Sequence, residues 1–250
     1  MSERLAWAIG LGVLGAIIGS FIAALVVRWS DDRSVMRGRS ACDSCGATLR
    51  AWELVPLLSA LVQRGRCRTC SAPIAPLHWR VELGALVIGA GAGWVVAGPA
   101  ALAGAVFGWL LLALGTLDLI AFWLPDRLTG TLAATGVLTA LAFEPSPIDR
   151  AIGGGAGFGA LWLIATLYRR VRGRDGMGGG DPKLFGAIGL WLGWQMLPAV
   201  LLIASMVGLG MVLAAHLRGR AVAADTALPL GTLLAIAAYP AWLFMVAHAP

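Results

Sequence analysis

Of the 250 residues, 59% are hydrophobic and only 13% are charged, against roughly 25% charged in an ordinary soluble domain. With a mean hydropathy of +0.82, this excludes a typical cytosolic globular domain, a disordered chain and a coiled coil, and leaves an all-α polytopic membrane protein. The excess of 19 Lys+Arg over 13 Asp+Glu, a net +6, reads as basic residues marking one side of a membrane; nucleic acid is not expected as a partner.

Eight apolar stretches follow one another. In chain order they are Leu5–Val27, Val81–Ala97, Ala100–Ile120, Leu128–Phe143, Ala151–Tyr168, Leu184–Trp194, Ala199–His216 and Ala227–Ala247. They predict about eight transmembrane helices, the sixth short, with both termini on the same side. With the termini outside the cytoplasm, the inner segments are 28–80, 121–127, 169–183 and 217–226, and these hold 17 of the 19 basic residues. Only Arg4 and Arg150 remain outside, which sets the orientation by the positive-inside rule. The first stretch is longer than the 7–15 residues of a signal-peptide core, and Val27-Arg28-Trp29 rather than a small-residue cleavage site follows it. It reads as a retained helix. Gly10-x-Gly12-x-x-Gly15 matches a dinucleotide fingerprint but lies inside this apolar stretch rather than after a strand, so that reading fails. Gly15, Gly19 and the run Gly153–Gly159 read instead as helix-packing faces.

The segment 28–80 differs in composition: it is polar, Arg-rich and carries all four cysteines. The domain division expected is therefore a first helix (1–27), a cytoplasmic insert (28–80) and a membrane domain (81–250). Cys42-x-x-Cys45 and Cys67-x-x-Cys70 stand 21 residues apart. Two such knuckles, each followed by a turn-forming residue (Gly46, Ser71), suit a structural zinc ion held by four thiolates. The alternatives are four unrelated thiols or a pair of disulfides, and disulfides rarely persist on a cytoplasmic face. A small polar insert builds little core, and a metal would staple it. His78 is not needed as a ligand. Glu82 is placed to pair with Arg80.

Two acids stand out on the membrane side. Asp118 lies near the inner end of the third stretch, where an ionised side chain is costly unless it works or faces water. Asp181 ends Gly176-Met177-Gly178-Gly179-Gly180-Asp181 and precedes Pro182-Lys183. Taken alone it is a good N-cap for the sixth helix, with Pro182 behind it. The topology brings both to the cytoplasmic end of the membrane. Two neighbouring carboxyls share a proton, so that one activates water while the other protonates a carbonyl. Asp126, in Leu124-Pro125-Asp126, reads as a cap for the fourth helix. Lys183 could favour an ionised carboxylate or anchor the helix at the interface.

Several motifs in order resemble those of the type IV prepilin peptidases, the GxGD-type aspartic proteases of bacterial inner membranes. They are Gly19-Ser20-Phe21 with Arg28, the two cysteine knuckles, Glu53-Leu54-Val55-Pro56-Leu57-Leu58-Ser59 and Arg64-Gly65-Arg66-Cys67. Arg80-Val81-Glu82, Asp118 with Leu124-Pro125-Asp126, Gly176 to Leu184, Trp191-Leu192-Gly193-Trp194 and Leu228-Pro229-Leu230-Gly231 follow. The resemblance covers almost the whole chain. It implies Asp118 and Asp181 as the catalytic pair, with Gly178, Gly180, Lys183 and Asp126 in support. It also implies cleavage of prepilin or pseudopilin leaders at the cytoplasmic face of the inner membrane, in contact with membrane lipid. The cysteine-bearing form further implies N-methylation of the new terminus with S-adenosylmethionine. One position departs: Ala23 stands where the family usually has Asn, a change that bears on methyl transfer rather than on cleavage. Two other readings compete, an intramembrane protease of broader, presenilin-like specificity and a non-enzymatic scaffold whose zinc module docks a partner.

Overall fold

The computed structural model describes residues 2–34, 39–42, 44–219 and 227–248. Most of the inner segment expected at 217–226 lies outside them. The described residues form eight α-helices and a short 3-10 turn at Ala51–Leu54, with no strand among them. The helices are α1 (Ser2–Ser30), α2 (Leu58–Val62), α3 (Leu77–Val95), α4 (Pro99–Ala121), α5 (Asp126–Thr139), α6 (Pro147–Arg172), α7 (Asp181–Leu217) and α8 (Leu230–Ala247). The chain divides into two compact units, Met1–Ala113 and Leu114–Pro250, with α4 running through the division.

A helix covers most of every apolar stretch of the sequence, but five helices among the described residues, α1, α4, α6, α7 and α8, are long and apolar enough to cross a bilayer. The difference of three has a physical basis: α3, the second stretch, opens with the polar residues His78, Arg80 and Glu82, and the other two differences lie in α5 and α7. At 1.5 Å per residue, the 14 residues of α5 rise about 21 Å, short of the roughly 30 Å of hydrocarbon. The sixth and seventh stretches form one element, α7, interrupted at Gly193, whose φ of 71° lies in the left-handed region. The part before the break rises only about 18 Å.

In the first unit α1 packs on α3. Small residues let the backbones touch: a Cβ on Gly15 would strike the Ala85 carbonyl, and one on Gly89 would strike that of Leu11. The indole N–H of Trp109 on α4 donates to the Ala85 carbonyl at 2.9 Å. Glu82 does not pair with Arg80. Its carboxylate accepts the Leu57 N–H of the insert at 2.8 Å, while Arg80 lies over the Trp79 ring. The buried carboxylate thus answers a main-chain donor exposed by the unusual backbone of Leu57, at φ 60°.

In the second unit α6 packs on α7, with Gly153 against the carbonyl of Gly189. Of the glycine run, Gly153, Gly154 and Gly157 face α7, whereas a Cβ on Gly155 or Gly159 would meet nothing. The ends of α6 follow helix chemistry closely. Ser146 accepts the Asp149 N–H at the N-cap, Pro147 opens the first turn, and Gly173 closes the helix in the left-handed conformation behind Arg169, Arg170 and Arg172. Arg150, expected in an outer loop, is instead 3% exposed. It donates to the carbonyls of Pro145, Gly136, Phe143, Glu144 and Leu190 at 2.9–3.3 Å.

Candidate functional site

The second unit brings together three chain segments that are far apart in sequence. The last turns of α4 carry Asp118. Beyond it, Phe122 at φ 49° ends the helix, its N–H returning to the Asp118 carbonyl at 3.0 Å. The glycine loop after α6 delivers Asp181 as the first residue of α7. Gly180 is the N-cap, so Asp181 is one residue inside the helix rather than its cap. Its N–H returns to the Gly178 carbonyl at 3.2 Å, and its carboxylate faces the Gly178 N–H. The third segment is the N-terminus of α8, where Pro229 is the N-cap.

The free N–H groups of that helix end face the acids. Thr232 donates its N–H to Asp118 Oδ2 at 2.8 Å. Its hydroxyl stands 3.2 Å from the same oxygen and donates to the Gly115 carbonyl at 2.8 Å. The Gly231 N–H faces both Asp118 and Asp181, and the two carboxyls are close enough for their charges to interact. Asp118 is 5% exposed and Asp181 6% exposed, rare burial for a carboxylate. The helix N-terminus supplies partial positive charge where two acids meet. Glycine is required at two points of this cradle. A Cβ on Gly231 would lie 3.0 Å from Asp118 Oδ2 and 2.9 Å from Leu124 Cδ1; one on Gly180 would lie 2.7 Å from Leu124 Cβ.

The supporting residues divide. Gly178 and Gly180 shape the loop around Asp181. Asp126 does not cap α5, whose N-cap is Pro125. As the first helical residue it pairs with Lys183 at 2.6 Å, and both are exposed. A surface pair of this kind holds little energy, so it ties the α5 and α7 starts together without reaching the buried acids. The Gly231 and Thr232 donors are what residue-by-residue reading missed. Their only signal was Pro229 ahead of Gly231, a helix start in a stretch that entered only as one of the family-like motifs.

The first unit holds a second cluster. One ligand atom from each of Cys42, Cys45, Cys67 and Cys70 lies within 4.8 Å of the others, with Cys42 and Cys70 sulfurs 3.9 Å apart. Tetrahedral thiolates about 2.3 Å from a zinc ion would stand about 3.8 Å apart. All four are free thiols, so the disulfide alternative is not what the structure has. The knuckles repeat one another. The Cys42 N–H bonds the Ala47 carbonyl and Gly46 N–H the Cys42 carbonyl; Cys67 with Ala72 and Ser71 with Cys67 do the same. Gly46 and Ser71 both take positive φ, 69° and 58°. Isolated bridges, Ala41 with Thr48 and Arg66 with Pro73, close each knuckle. N–H groups of Cys70 and Thr69 aimed at its sulfur lower the Cys67 thiol to about 6. The Ala72 N–H favours the Cys70 thiolate, but burial and the neighbouring sulfurs of Cys45, Cys67 and Cys42 outweigh it and push that thiol up to about 11. Four sulfurs this close cannot all ionise unaided; a bound cation removes that conflict. The donor set therefore fits a metal ion, and His78 is not part of it.

Residues 13–96 match the model of the bacterial peptidase A24 N-terminal domain, and residues 105–213 match that of the type IV leader peptidase family. Among similar proteins is a prepilin leader peptidase/N-methyltransferase of Burkholderia pseudomallei strain K96243, 39% identical over 93% of this chain and 82% of the relative. Another of that description, from Aeromonas hydrophila, is 40% identical over 84% of this chain and 73% of its own. One from Pseudomonas aeruginosa is 33% identical over 97% and 92%. No solved structure matches the chain. Two domain models in order, with relatives alike over most of both lengths, settle the kinship: the chain belongs to the type IV leader peptidase family.

Proposed function

We propose that the chain is a multi-pass membrane aspartic endopeptidase that removes the leader of type IV prepilin-like proteins and then N-methylates the new terminus. The observation that carries the cleavage reading is the pair of buried acids, Asp118 and Asp181, meeting at the N-terminus of α8. One carboxyl holds a proton and the other is ionised. The ionised one takes a proton from water as the water oxygen adds to the scissile carbonyl carbon, and the protonated one gives its proton to the carbonyl oxygen. Collapse of the resulting diol breaks the C–N bond, and the leaving amine takes up a proton. The α8 N–H groups of Gly231 and Thr232 keep the acids in place throughout.

The bias of basic residues supports an inner-membrane location with this site toward the cytoplasm. The insert at 28–80 serves the methyl-transfer half and 81–250 the peptidase half. Zinc is the metal the four-thiolate set favours, in a closed structural role. S-adenosylmethionine, when bound, supplies the methyl group for the amine released by cleavage. Ala23, where the family usually has Asn, is fully buried on α1 and offers no polar group.

The reading is tested by giving membranes that contain the chain either a prepilin or an unrelated transmembrane helix. Leader removal from the prepilin alone supports it. Cleavage of the unrelated helix with the prepilin untouched would favour the broader protease, and no cleavage of either would favour a scaffold.

Two further outcomes are expected. Gly231→Ala crowds Asp118 Oδ2 and Leu124, so it should slow cleavage by about tenfold or more, the effect of a roughly 1 Å misplacement or less. Unfolding should stay at the parent temperature, which a melting curve in detergent checks. Metal analysis of the purified chain should give about one zinc per chain, since four ligands make one closed site. Cys45→Ser should lose most of it and loosen the insert to proteolysis while leader cleavage partly survives. Unchanged metal content would refute the four-cysteine site.

A further inference from the structure

The insert presents an apolar row that none of the described residues covers. Leu58, Leu61 and Val62 of α2 are 60%, 75% and 79% exposed. Within α2 these three stand at i, i+3 and i+4, so they form one face; Leu54, 41% exposed, ends the 3-10 turn ahead of it. Trp52, 53% exposed, lies in the 3-10 turn before α2, and the guanidiniums of Arg50 and Arg68 lie 5.8 and 4.7 Å from its ring centroid. Between residues 44 and 80 the charged groups are Arg50, Arg64, Arg66, Arg68, Arg80 and one acid, Glu53. The Glu53 carboxylate is turned back onto the Arg50 N–H at 2.8 Å.

The position of this face follows from its tether. The Leu57 N–H, at the start of α2, is held by Glu82, the sixth residue of α3. Side chains on a helix lean toward its N-terminus. The start of α2 is therefore level with the first turns of α3, where Trp79 and Arg80 mark the interface and Val81 begins the apolar run. An apolar face with Trp and Arg beside it, at that height, has the composition of an interfacial membrane anchor.

We propose that residues 50–68 lie on the bilayer as an interfacial anchor. Leu58, Leu61 and Val62 enter the acyl boundary, and Arg50 and Arg68, gathered on Trp52, bind the phosphates of anionic lipid. The charge of the segment selects that partner, because phosphate oxygens accept from guanidinium forks and acidic leaflets attract clustered basic residues. This inference concerns the insert alone and does not depend on the peptidase reading.

A nitroxide on Val62→Cys in the full, metal-loaded chain tests it, with the parent chain giving the knuckle-cysteine background. The protein is placed in nanodiscs of phosphatidylcholine with phosphatidylglycerol. The label should collide more often with oxygen than with a water-soluble nickel chelate, and a label at the neighbouring Leu61→Cys should behave alike. Arg50→Gln with Arg68→Gln should shift the balance toward the nickel chelate. Dominance of the chelate in the unsubstituted background, protection from both reagents as a protein contact would give, or no change on removing the two arginines would each overturn the proposal.

Discussion

Asp118→Asn and Asp181→Asn are each expected to lower the rate of leader cleavage by about 10²–10⁴-fold, the usual worth of a positioned acid or base. The two changes together should cost little more than one, because the carboxyls act as a unit. Neither should unfold the protein. Asn accepts the Thr232 N–H at position 118 as Asp does, and α7 keeps Gly180 as its cap and Pro182 in its first turn at position 181. Initial rates on a prepilin, with melting curves beside them, check this. An Asp181→Asn enzyme of full activity would reduce that residue to the start of a helix.

The second large effect is on stability. Arg150→Leu should destabilise the second unit by about 3 kcal/mol, since each buried carbonyl left short of a donor costs about 1–3 kcal/mol. The guanidinium sits where three helices converge. It takes the Gly136 carbonyl of α5, the Leu190 carbonyl just ahead of the Gly193 break in α7, and the carbonyls of the loop before α6. Beside it, Trp191 donates to the Leu132 carbonyl at 2.8 Å and covers Gly136. Leucine would fill the space but donate nothing: the Phe143, Glu144 and Leu190 carbonyls would lose this donor, while Gly136 keeps the Ala140 N–H and the Thr139 hydroxyl. Thermal unfolding in detergent should show a large fall, with cleavage by the surviving folded fraction near normal. An unchanged melting temperature would mean that the break in α7 holds itself.

Much of the fold was legible because the membrane writes it in composition. Long apolar stretches have few structural options, and the helices fell on them. The span count was less legible, since a stretch such as 128–143 is apolar without being long, and Gly193 bends the chain without a polar residue to announce it. The cysteine knuckles were legible to the level of their turns, Gly46 and Ser71, because tetrahedral thiolate geometry demands that spacing. The acids stood out because charge is scarce here. Their donors did not, since main-chain N–H groups leave no mark in side-chain identity. Arg150 looked like a loop charge, and only the packing of α5, α6 and α7 shows its carbonyl partners. Glu82 and Asp126 were given their nearest sequence roles, pairing and capping, whereas each found a partner more than 20 residues away, Leu57 and Lys183.

The central claim is that Asp118 and Asp181 together hydrolyse a prepilin leader. Its most direct test is the mass of the product N-terminus after incubating the purified chain with a prepilin and S-adenosylmethionine. The expected product is one new terminus at the end of the leader, carrying one added methyl group, and it should be absent with the Asp118→Asn, Asp181→Asn double variant. The same cleaved product from that double variant would contradict the account.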